Sequence, residues 1–246
     1  MIITSNQNPK IKHLVGLQNK SYRSKNKEFI AQGFKTCKTL FDSGFKLKSI
    51  FFTEKLYLEH QNDFLIEDTY VVNDQIMKLI STTTTPTGVV AIFDMKQEEL
   101  IASSNGAILV NIQDPGNLGT LIRSASAMGL EALYLIDCVD FYNPKVIQST
   151  TGSILDLKIF INTWENLKEV LKTIPLCALV VDSGENPKNI DLKNSLIVIG
   201  NEGQGLPHFI INQSTTQMTI PMPGNTESLN AAVAGSIAMY LKSQAK

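Results

Sequence analysis

Three apolar segments in the C-terminal half each run directly into a turn rich in glycine and proline. The turns read IQDPGNLG (residues 112–119), IGNEGQGLP (199–207) and IPMPGN (220–225). In open α/β sheets, ligand crevices form beyond the carboxyl ends of the strands. Glycine in such turns lets the backbone approach a ligand closely. The three turns therefore predict one site, built largely from backbone, at one edge of a sheet.

Strand-like and helix-like segments alternate along the chain. In the C-terminal half, a predicted strand over 107–112 is followed by a helix over 118–129 and a strand over 132–136. Such alternation implies a parallel sheet with helices on both faces. The length of 246 residues suits two modest domains. We predict a small N-terminal α/β domain over 1–95, a linker over 96–106 and a C-terminal parallel-sheet domain over 107–246.

Charge is distributed unevenly between the two halves. Residues 1–60 carry eleven basic and four acidic residues, a net charge of +7, whereas the whole chain has a net charge of −1. This asymmetry predicts an N-terminal segment that faces a polyanion such as RNA. The candidate contacts are Lys20, Arg23, Lys25 and Lys27, among which Tyr22 is interleaved. The alternative is that these lysines only solvate helix faces.

Arginine is rare in this chain. There are twenty lysines and two arginines, Arg23 and Arg123. Where lysine serves as the general cation, a retained arginine indicates a need for its planar fork of donors. Arg123 follows the first glycine turn, inside a predicted helix that has no other charge. We predict a role for Arg123 in the site; the alternative is a buried counter-ion to a carboxylate.

Several classes of protein are disfavoured by what the sequence lacks. It has no secretory signal pattern and no apolar run long enough to span a bilayer, so we expect a cytoplasmic protein without membrane contact. The cysteines and histidines are few and scattered, which predicts neither disulfides nor a metal site. They are Cys37, Cys138, Cys177, His13, His60 and His208.

A dinucleotide-binding enzyme is the obvious competing interpretation. The first turn has the spacing Gly116-x-x-Gly119 instead of Gly-x-Gly-x-x-Gly, and only Asp137 lies near the end of the next predicted strand. The expected ribose-binding pattern is therefore weak. A P-loop ending in Gly-Lys-Ser/Thr is absent, which disfavours a nucleoside triphosphatase.

The motifs in order resemble those of a known family. They are DPGNLG with Arg123-Ser124-Ala125, GNEGxGL (200–206), and Ile220-Pro221-Met222 with Ser228-Leu229-Asn230; Asn143-Pro144-Lys145-Val146 leading to Thr151-Gly152-Ser153 is also similar. This order closely resembles the three signature motifs of the SpoU (TrmH-type) RNA ribose 2′-O-methyltransferases of the SPOUT superfamily. The resemblance covers about residue 107 to the C-terminus, and residues 1–95 resemble the family's substrate-binding extension.

The resemblance implies a fold, a cofactor and a set of site residues. The fold would contain a deep trefoil knot, although knots are nearly absent from proteins, and the protein would be a homodimer. The expected cofactor is S-adenosylmethionine, held by Gly200, Gly203, Ile220, Met222 and Leu229. The expected catalytic residues are Arg123, Asn117, Glu202, Ser228 and Asn230. Glu202 would position Arg123; the alternative is a carboxylate at the helix start before Leu206. Lys145 joins the expected RNA contacts.

The resemblance also predicts the reaction, methylation of a ribose 2′-hydroxyl in RNA. Ribosomal RNA is favoured over transfer RNA because the N-terminal extension accompanies relatives of the rRNA type. Two departures from the family pattern are Ala231-Ala232 in place of Val-Ser and Gln148 in place of an arginine. The second departure predicts that one phosphate contact is missing or is supplied elsewhere. The alternative function is a non-catalytic RNA-binding protein that retains the knotted fold.

Overall fold

The computed structural model describes residues 2–96, 98–150, 157–224 and 226–245. Its contacts divide the chain into two units, Met1–Gln97 with Asp140–Leu155, and Glu98–Val139 with Asp156–Lys246. They are called here the N-terminal and the C-terminal unit. The motif residues Thr151, Gly152, Ser153 and Asn225 lie outside the described residues.

The N-terminal unit is built on a five-stranded mixed sheet of order β1-β4-β3-β5-β2. Strands β1 and β3 run parallel to β4, whereas β5 is antiparallel to β2 and β3. Up to residue 94 the elements are β1 (Ile2–Ile3), α1 (Pro9–Gly16), α2 (Lys20–Asn26), β2 (Glu28–Gln32), α3 (Phe34–Asp42), β3 (Leu47–Phe52), α4 (Glu54–His60), β4 (Thr69–Val72), α5 (Asp74–Ile80) and β5 (Val89–Asp94).

Helix α2 was not predicted from the sequence. Helix α1 ends at Gly16, and a second helix begins at Lys20. The side chain of Asn19 accepts a hydrogen bond from Ser21 N and caps the new helix, which Lys27 ends in the left-handed conformation. The two short helices form a hairpin, and the buried side chains of Ile11 and Leu14 join α1 to the core.

The C-terminal unit is built on a six-stranded sheet of order β11-β9-β10-β6-β7-β8, in which every strand pair is parallel. From residue 106 the elements are β6 (Gly106–Val110), α6 (Pro115–Ala127), β7 (Ala132–Ile136), α7 (Pro144–Thr150), β8 (Lys158–Asn162), α8 (Trp164–Leu171), β9 (Leu176–Leu179), a 3₁₀ helix (Pro187–Asn189), β10 (Leu196–Ile199), α9 (His208–Gln213), β11 (Thr216–Met218) and α10 (Ala231–Gln244). The predicted α/β class with a parallel sheet is confirmed, while the trefoil knot stays a prediction.

One segment of the C-terminal half packs with the N-terminal unit. Residues 140–150, including α7, follow β7 in sequence, yet their contacts are with β2 and its neighbours. The ring of Tyr142 lies 4.8 Å from that of Phe29, and its hydroxyl donates to the carbonyl of Lys96 at 3.0 Å. The predicted C-terminal domain, 107–246, had included this segment.

Candidate functional site

A pocket lies beyond the carboxyl ends of β9, β10 and β11, where the second and third glycine turns converge. Its cavity volume is about 290 Å³. Its walls combine apolar side chains with the backbone of the turn after β10. It is lined by Leu179, Val180, Val181, Ile199, Gly200, Asn201, Glu202, Gly203, Gln204, Gly205, Ile220, Met222, Ser228, Leu229, Ala231 and Ala234. All five predicted cofactor-binding residues are among them.

The turn after β10 is closed by its own backbone. Asn201 and Gly205 exchange two backbone hydrogen bonds, at 3.1 and 3.0 Å. Gly205 has a φ of +66°, which L side chains rarely adopt. A Cβ on Gly200 would lie 2.5 Å from the carbonyl carbon of Gly205, so only glycine fits there. The side chain of Asn201 also donates to Asn111 O at 2.9 Å and fixes the turn to the end of β6.

A chain of side-chain hydrogen bonds joins the three motif turns. Asn117 Nδ2 donates to Glu202 Oε1, and Asn230 Nδ2 donates to Asn117 Oδ1 at 3.2 Å. Asn230 Oδ1 in turn accepts from the backbone N–H groups of Ala232 and Val233. The structure thus brings together Asn117, Glu202 and Asn230, one residue from each turn.

Two helix starts position these side chains. The carboxylate of Asp114 caps α6 by accepting from Asn117 N at 2.8 Å, and Pro115 occupies the first helical position. Helix α6 therefore begins three residues before the predicted start and carries Asn117 in its first turn. Asn230 caps α10, which begins at Ala231. Ser228 consequently lies in the turn that lines the pocket.

Arg123 is exposed on α6. It does not line the pocket, and within the described part of the chain it forms neither a hydrogen bond nor an ion pair. Within the chain, the bonded oxygen of Glu202 accepts from Asn117, so the role of Glu202 in positioning Arg123 stays a prediction. The alternative of a buried counter-ion for Arg123 is wrong for the single chain, because the side chain is exposed there.

Arg23 is the clearest correction among the predicted RNA contacts. It is 2% exposed, and its guanidinium pairs with Asp140 and donates to the carbonyls of Leu17 and Gln18 at 2.9 and 2.8 Å. Burial in an ion pair makes it a structural residue. The other four predicted contacts are all exposed: Lys20, Lys25, Lys27 and Lys145.

Sequence reasoning missed two features of this unit. The end of β9 forms one wall of the pocket through Leu179 and Val180, although no motif marks it. Lys242 is 5% exposed, and its ammonium donates to the carbonyls of Leu192 and Ser195 at 2.7 and 2.8 Å and to that of Lys193 at 3.1 Å. Burial lowers the pKa of Lys242 to about 8. The sequence signal for this role was a single charged residue, Lys242, at a position of α10 that faces the core.

Two other observations bear on the class of protein. Within the described ranges, no group of three or more histidine, cysteine, aspartate or glutamate residues is placed to hold a metal ion. None of the described helices combines the length and the apolar character that a bilayer crossing requires.

Comparison with known proteins assigns both halves of the chain. Residues 106–240 match the model of the SpoU rRNA Methylase family, and residues 8–91 match the MRM3-like substrate binding domain. An uncharacterised tRNA/rRNA methyltransferase of Synechocystis sp. is 32% identical, over 97% of this chain and 92% of that protein. The 23S rRNA (guanosine(2553)-2′-O)-methyltransferase RlmP of Bacillus subtilis is 28% identical over 97% of each chain.

A solved structure is similar over nearly the whole length. The AdoMet-bound rRNA methyltransferase from Sinorhizobium meliloti superposes with a TM-score of 0.88, at 25% identity, over 98% of this chain and 97% of that one. The order of the motifs, the parallel sheet and these similarities agree. The chain belongs to the SpoU rRNA methylase family.

Proposed function

We propose that this protein is an S-adenosylmethionine-dependent methyltransferase that acts on a ribose 2′-hydroxyl of RNA. The observation that carries the proposal is the hydrogen-bonded chain from Glu202 through Asn117 to Asn230. It places polar groups of all three family motifs at one edge of the sheet, next to the pocket that Glu202 lines.

The pocket fits an adenosyl group. Leu179, Ile220 and Leu229 offer apolar walls for a flat purine, and the closed turn at 200–205 offers backbone donors and acceptors. Ligand pockets typically combine such walls with a few placed polar groups. Bound S-adenosylmethionine supplies a methyl group that is already electrophilic. The protein therefore has to align the acceptor oxygen and manage its proton, and alignment alone can lower the barrier substantially.

The residues of the hydrogen-bonded chain are proposed to orient the ribose. Asn117 has both ends of its amide engaged, so its orientation is fixed. Ser228 is exposed at the pocket, where its hydroxyl can donate to or accept from a ribose oxygen. Glu202 holds Asn117 with Oε1, and Oε2 has no hydrogen-bond partner among the residues described. That oxygen is free to bind an incoming arginine or the ribose.

Arg123 is proposed to stabilise the alkoxide that develops on the 2′-oxygen and to bind the adjacent phosphate. Arginine stays protonated at ordinary pH, so an electrostatic role is favoured over that of a base. Because Arg123 does not line the pocket of its own chain, we propose that it acts in the site of a second subunit. Val233 and Tyr240, both half exposed on α10, are proposed to pack in this homodimer.

Ribosomal RNA is the proposed substrate, with the cytoplasm as the place of action. Support comes from the match of residues 8–91 to a substrate-binding domain and from the relative RlmP, whose name specifies guanosine in 23S rRNA. The exposed Lys20, Lys25 and Lys27 are proposed to contact RNA phosphates, together with Lys145. Gln148 lies on α7 near Lys145 and cannot replace the charge of the family's arginine.

The test combines cofactor binding with mapping of the product. Isothermal calorimetry should show binding of S-adenosylmethionine or its demethylated product and no binding of a nicotinamide dinucleotide. Mass-spectrometric mapping of 2′-O-methylated nucleotides in total RNA should show one rRNA position that is lost without the gene. RNA binding without any lost methyl group would favour the non-catalytic alternative. Dinucleotide binding alone would overturn the proposal.

A further inference from the structure

The α1–α2 hairpin carries positive charge without exposed negative charge. Residues 2–27 contain no aspartate or glutamate. Lys10 pairs with Asp68 and Arg23 with Asp140. The remaining cations are exposed, and no carboxylate in the described residues lies within ion-pair distance of them. They are Lys12, Lys20, Lys25 and Lys27.

Tyr22 is held in a fixed position on this hairpin. Its ring packs on Gly16, where an added Cβ would lie 2.9 Å from Tyr22 Cε1 and would push the ring outward. The Tyr22 hydroxyl lies 3.0 Å from His13 Nδ1. The centroids of the two rings are 5.5 Å apart in an edge-to-face arrangement. Tyr22 is nevertheless 36% exposed. Tyr22 is thus already ordered, so its side chain loses little conformational entropy when a ligand binds.

A buried carboxylate supports this arrangement from below. His13 Nε2 lies 2.5 Å from Glu28 Oε2, and Lys48 donates to Glu28 Oε1 at 2.7 Å. Glu28 is 7% exposed. An ionised carboxylate only accepts, so His13 Nε2 carries the proton and, in the neutral ring, Nδ1 accepts from the Tyr22 hydroxyl. The relay fixes the tautomer of His13 and the orientation of Tyr22.

Helical spacing puts two lysines on the helix faces that carry Gly16 and Tyr22. Lys25 is three residues after Tyr22 on α2, and Lys12 is four residues before Gly16 on α1, and such positions are neighbours on a helix surface. The apolar side chains of α1 are buried in the core, so the face offers no apolar patch to a membrane or a protein. Cations around an exposed aromatic ring are typical of surfaces that bind single-stranded nucleic acid.

We infer that the exposed face of the α1–α2 hairpin, centred on Tyr22, binds a single-stranded segment of RNA, with one base stacked on Tyr22 and phosphates at Lys12 and Lys25. This inference rests on the proposed function and specifies where the N-terminal unit contacts its RNA. Aromatic stacking tolerates every base, because each has a π face. The surface therefore adds affinity and positioning and does not select a sequence.

Binding of a fluorescein-labelled twelve-nucleotide oligouridine to the full-length protein tests the role of the ring. Tyr22→Leu should weaken binding about fivefold or more, the loss typical of one stacked base. Tyr22→Phe should stay within about twofold of wild type, because the ring remains. Gly16→Ala should weaken binding although Tyr22 is present, since its Cβ displaces the ring. Tyr57→Leu, on the acidic helix α4, is the matched control and should bind like wild type.

The salt dependence of the same measurement tests the lysines. The double variant Lys12→Gln/Lys25→Gln should lower the slope of log K against log salt by about 0.7 for each phosphate that the protein no longer neutralises. Lys55→Gln/Lys78→Gln, which removes two exposed lysines from α4 and α5, should leave the slope unchanged. Equal slopes in the two double variants would overturn the inference.

Photocrosslinking keeps the test valid if a variant fails to fold. An oligouridine with 5-iodouridine, crosslinked to the wild-type protein, should attach at Tyr22 when the peptides are mapped by mass spectrometry. Attachment elsewhere, with wild-type affinity in Tyr22→Leu, would overturn the inference and leave the methyltransferase proposal intact. Conversely, a Tyr22 crosslink in a protein that transfers no methyl group would overturn the proposed function alone. Binding of heparin with the same dependence on Tyr22 would show a surface for polyanions in general, and would also overturn the inference.

Discussion

The two units hold their polar groups in different ways. Every ion pair between described residues lies within the N-terminal unit, including the buried pair of Arg23 and Asp140 and the pairs of Glu28 with His13 and Lys48. The C-terminal unit uses neutral partners instead. Its buried cation, Lys242, is bonded to three backbone carbonyls, and its site is joined by the amides of Asn117 and Asn230.

This difference shows that some charged side chains stabilise the fold, whereas others remain available to take part in the reaction. In the N-terminal unit, some basic side chains are paired with carboxylates of the same unit. A count of basic residues therefore overstates the positive charge that is available to RNA. In the C-terminal unit, Arg123 has no internal partner among the described residues and Glu202 accepts only a neutral amide. Their charges therefore remain available to a substrate. The residues next to Arg23 and Arg123 in the sequence did not indicate which of the two arginines would be paired within the protein.

The largest expected effect comes from breaking the buried ion pair of the N-terminal unit. Arg23→Met leaves Asp140 without its counter-ion and should cost about 3–5 kcal/mol of unfolding free energy, measured by urea denaturation. Arg23→Met/Asp140→Asn should recover part of that loss, because the unpaired charge is gone. A fully stable Arg23→Met with weaker RNA binding would instead restore Arg23 as an RNA contact.

The next effect concerns the free arginine of the C-terminal unit. Arg123→Lys should lower single-turnover methyl transfer by about 10²–10³, because lysine lacks the planar pair of donors aimed at the developing oxyanion. Affinity for S-adenosylmethionine and the melting temperature should not change, since the side chain is exposed and outside the pocket.

One control variant and two contrary outcomes make that prediction testable. Lys168→Ala, an exposed cation on α8, should transfer methyl groups at the wild-type rate. Wild-type turnover in Arg123→Lys would show that only charge is needed. Wild-type turnover in Arg123→Ala would remove this residue from the mechanism.

A smaller effect is expected at the buried cation of the C-terminal unit. Lys242→Met leaves the carbonyls of Leu192, Lys193 and Ser195 without this donor and should cost about 1–3 kcal/mol in urea denaturation. The folded chain releases the Lys242 proton near pH 8 and the unfolded chain near 10.5. The wild type should therefore gain stability relative to the variant as the pH rises between these values. A pH-independent difference would contradict the lowered pKa.

The smallest effect is a difference in acid sensitivity. Burial raises the pKa of Glu28, but hydrogen bonds from Lys48 and His13 outweigh it and leave the pKa below its ordinary value. A lowered folded-state pKa stabilises the protein above the unfolded-state pKa, and this contribution is lost as pH falls through the folded-state value. The melting temperature of wild type should thus fall more steeply in acid than that of Glu28→Gln. Glu165→Gln, which removes an exposed glutamate of α8, should follow the wild type.

Features that depend on local sequence were predicted correctly. The alternation of strand-like and helix-like segments predicted the parallel sheet. The second and third glycine turns line the predicted pocket at its carboxyl edge, although apolar side chains form part of its walls. Both follow from interactions among residues close in sequence, such as strand periodicity and the φ values that glycine permits. The family prediction, which rests on the order of the same turns, is confirmed.

Boundaries and single residues were less predictable. The start of α6 was placed three residues late because the capping by Asp114 was not recognised, and α2 was missed although Asn19 is a good cap. The short helix α2, of sequence KSYRSKN, has no apolar stripe from which it could be predicted. Its stability comes from the hairpin contacts around Gly16 and Tyr22 instead.

Composition and motif order were sufficient to determine the fold class, the family and the motif residues that line the pocket, but not the pocket wall at the end of β9. Only the tertiary structure decided the environment of its individual charges. Arg23 and Arg123 are equally rare and equally conspicuous in the sequence, yet one is buried against Asp140, 117 residues away, and the other is free. The physical reason is that a charge is stabilised by whichever partner the fold brings within a few ångströms. That partner is set by long-range packing, which local sequence does not encode.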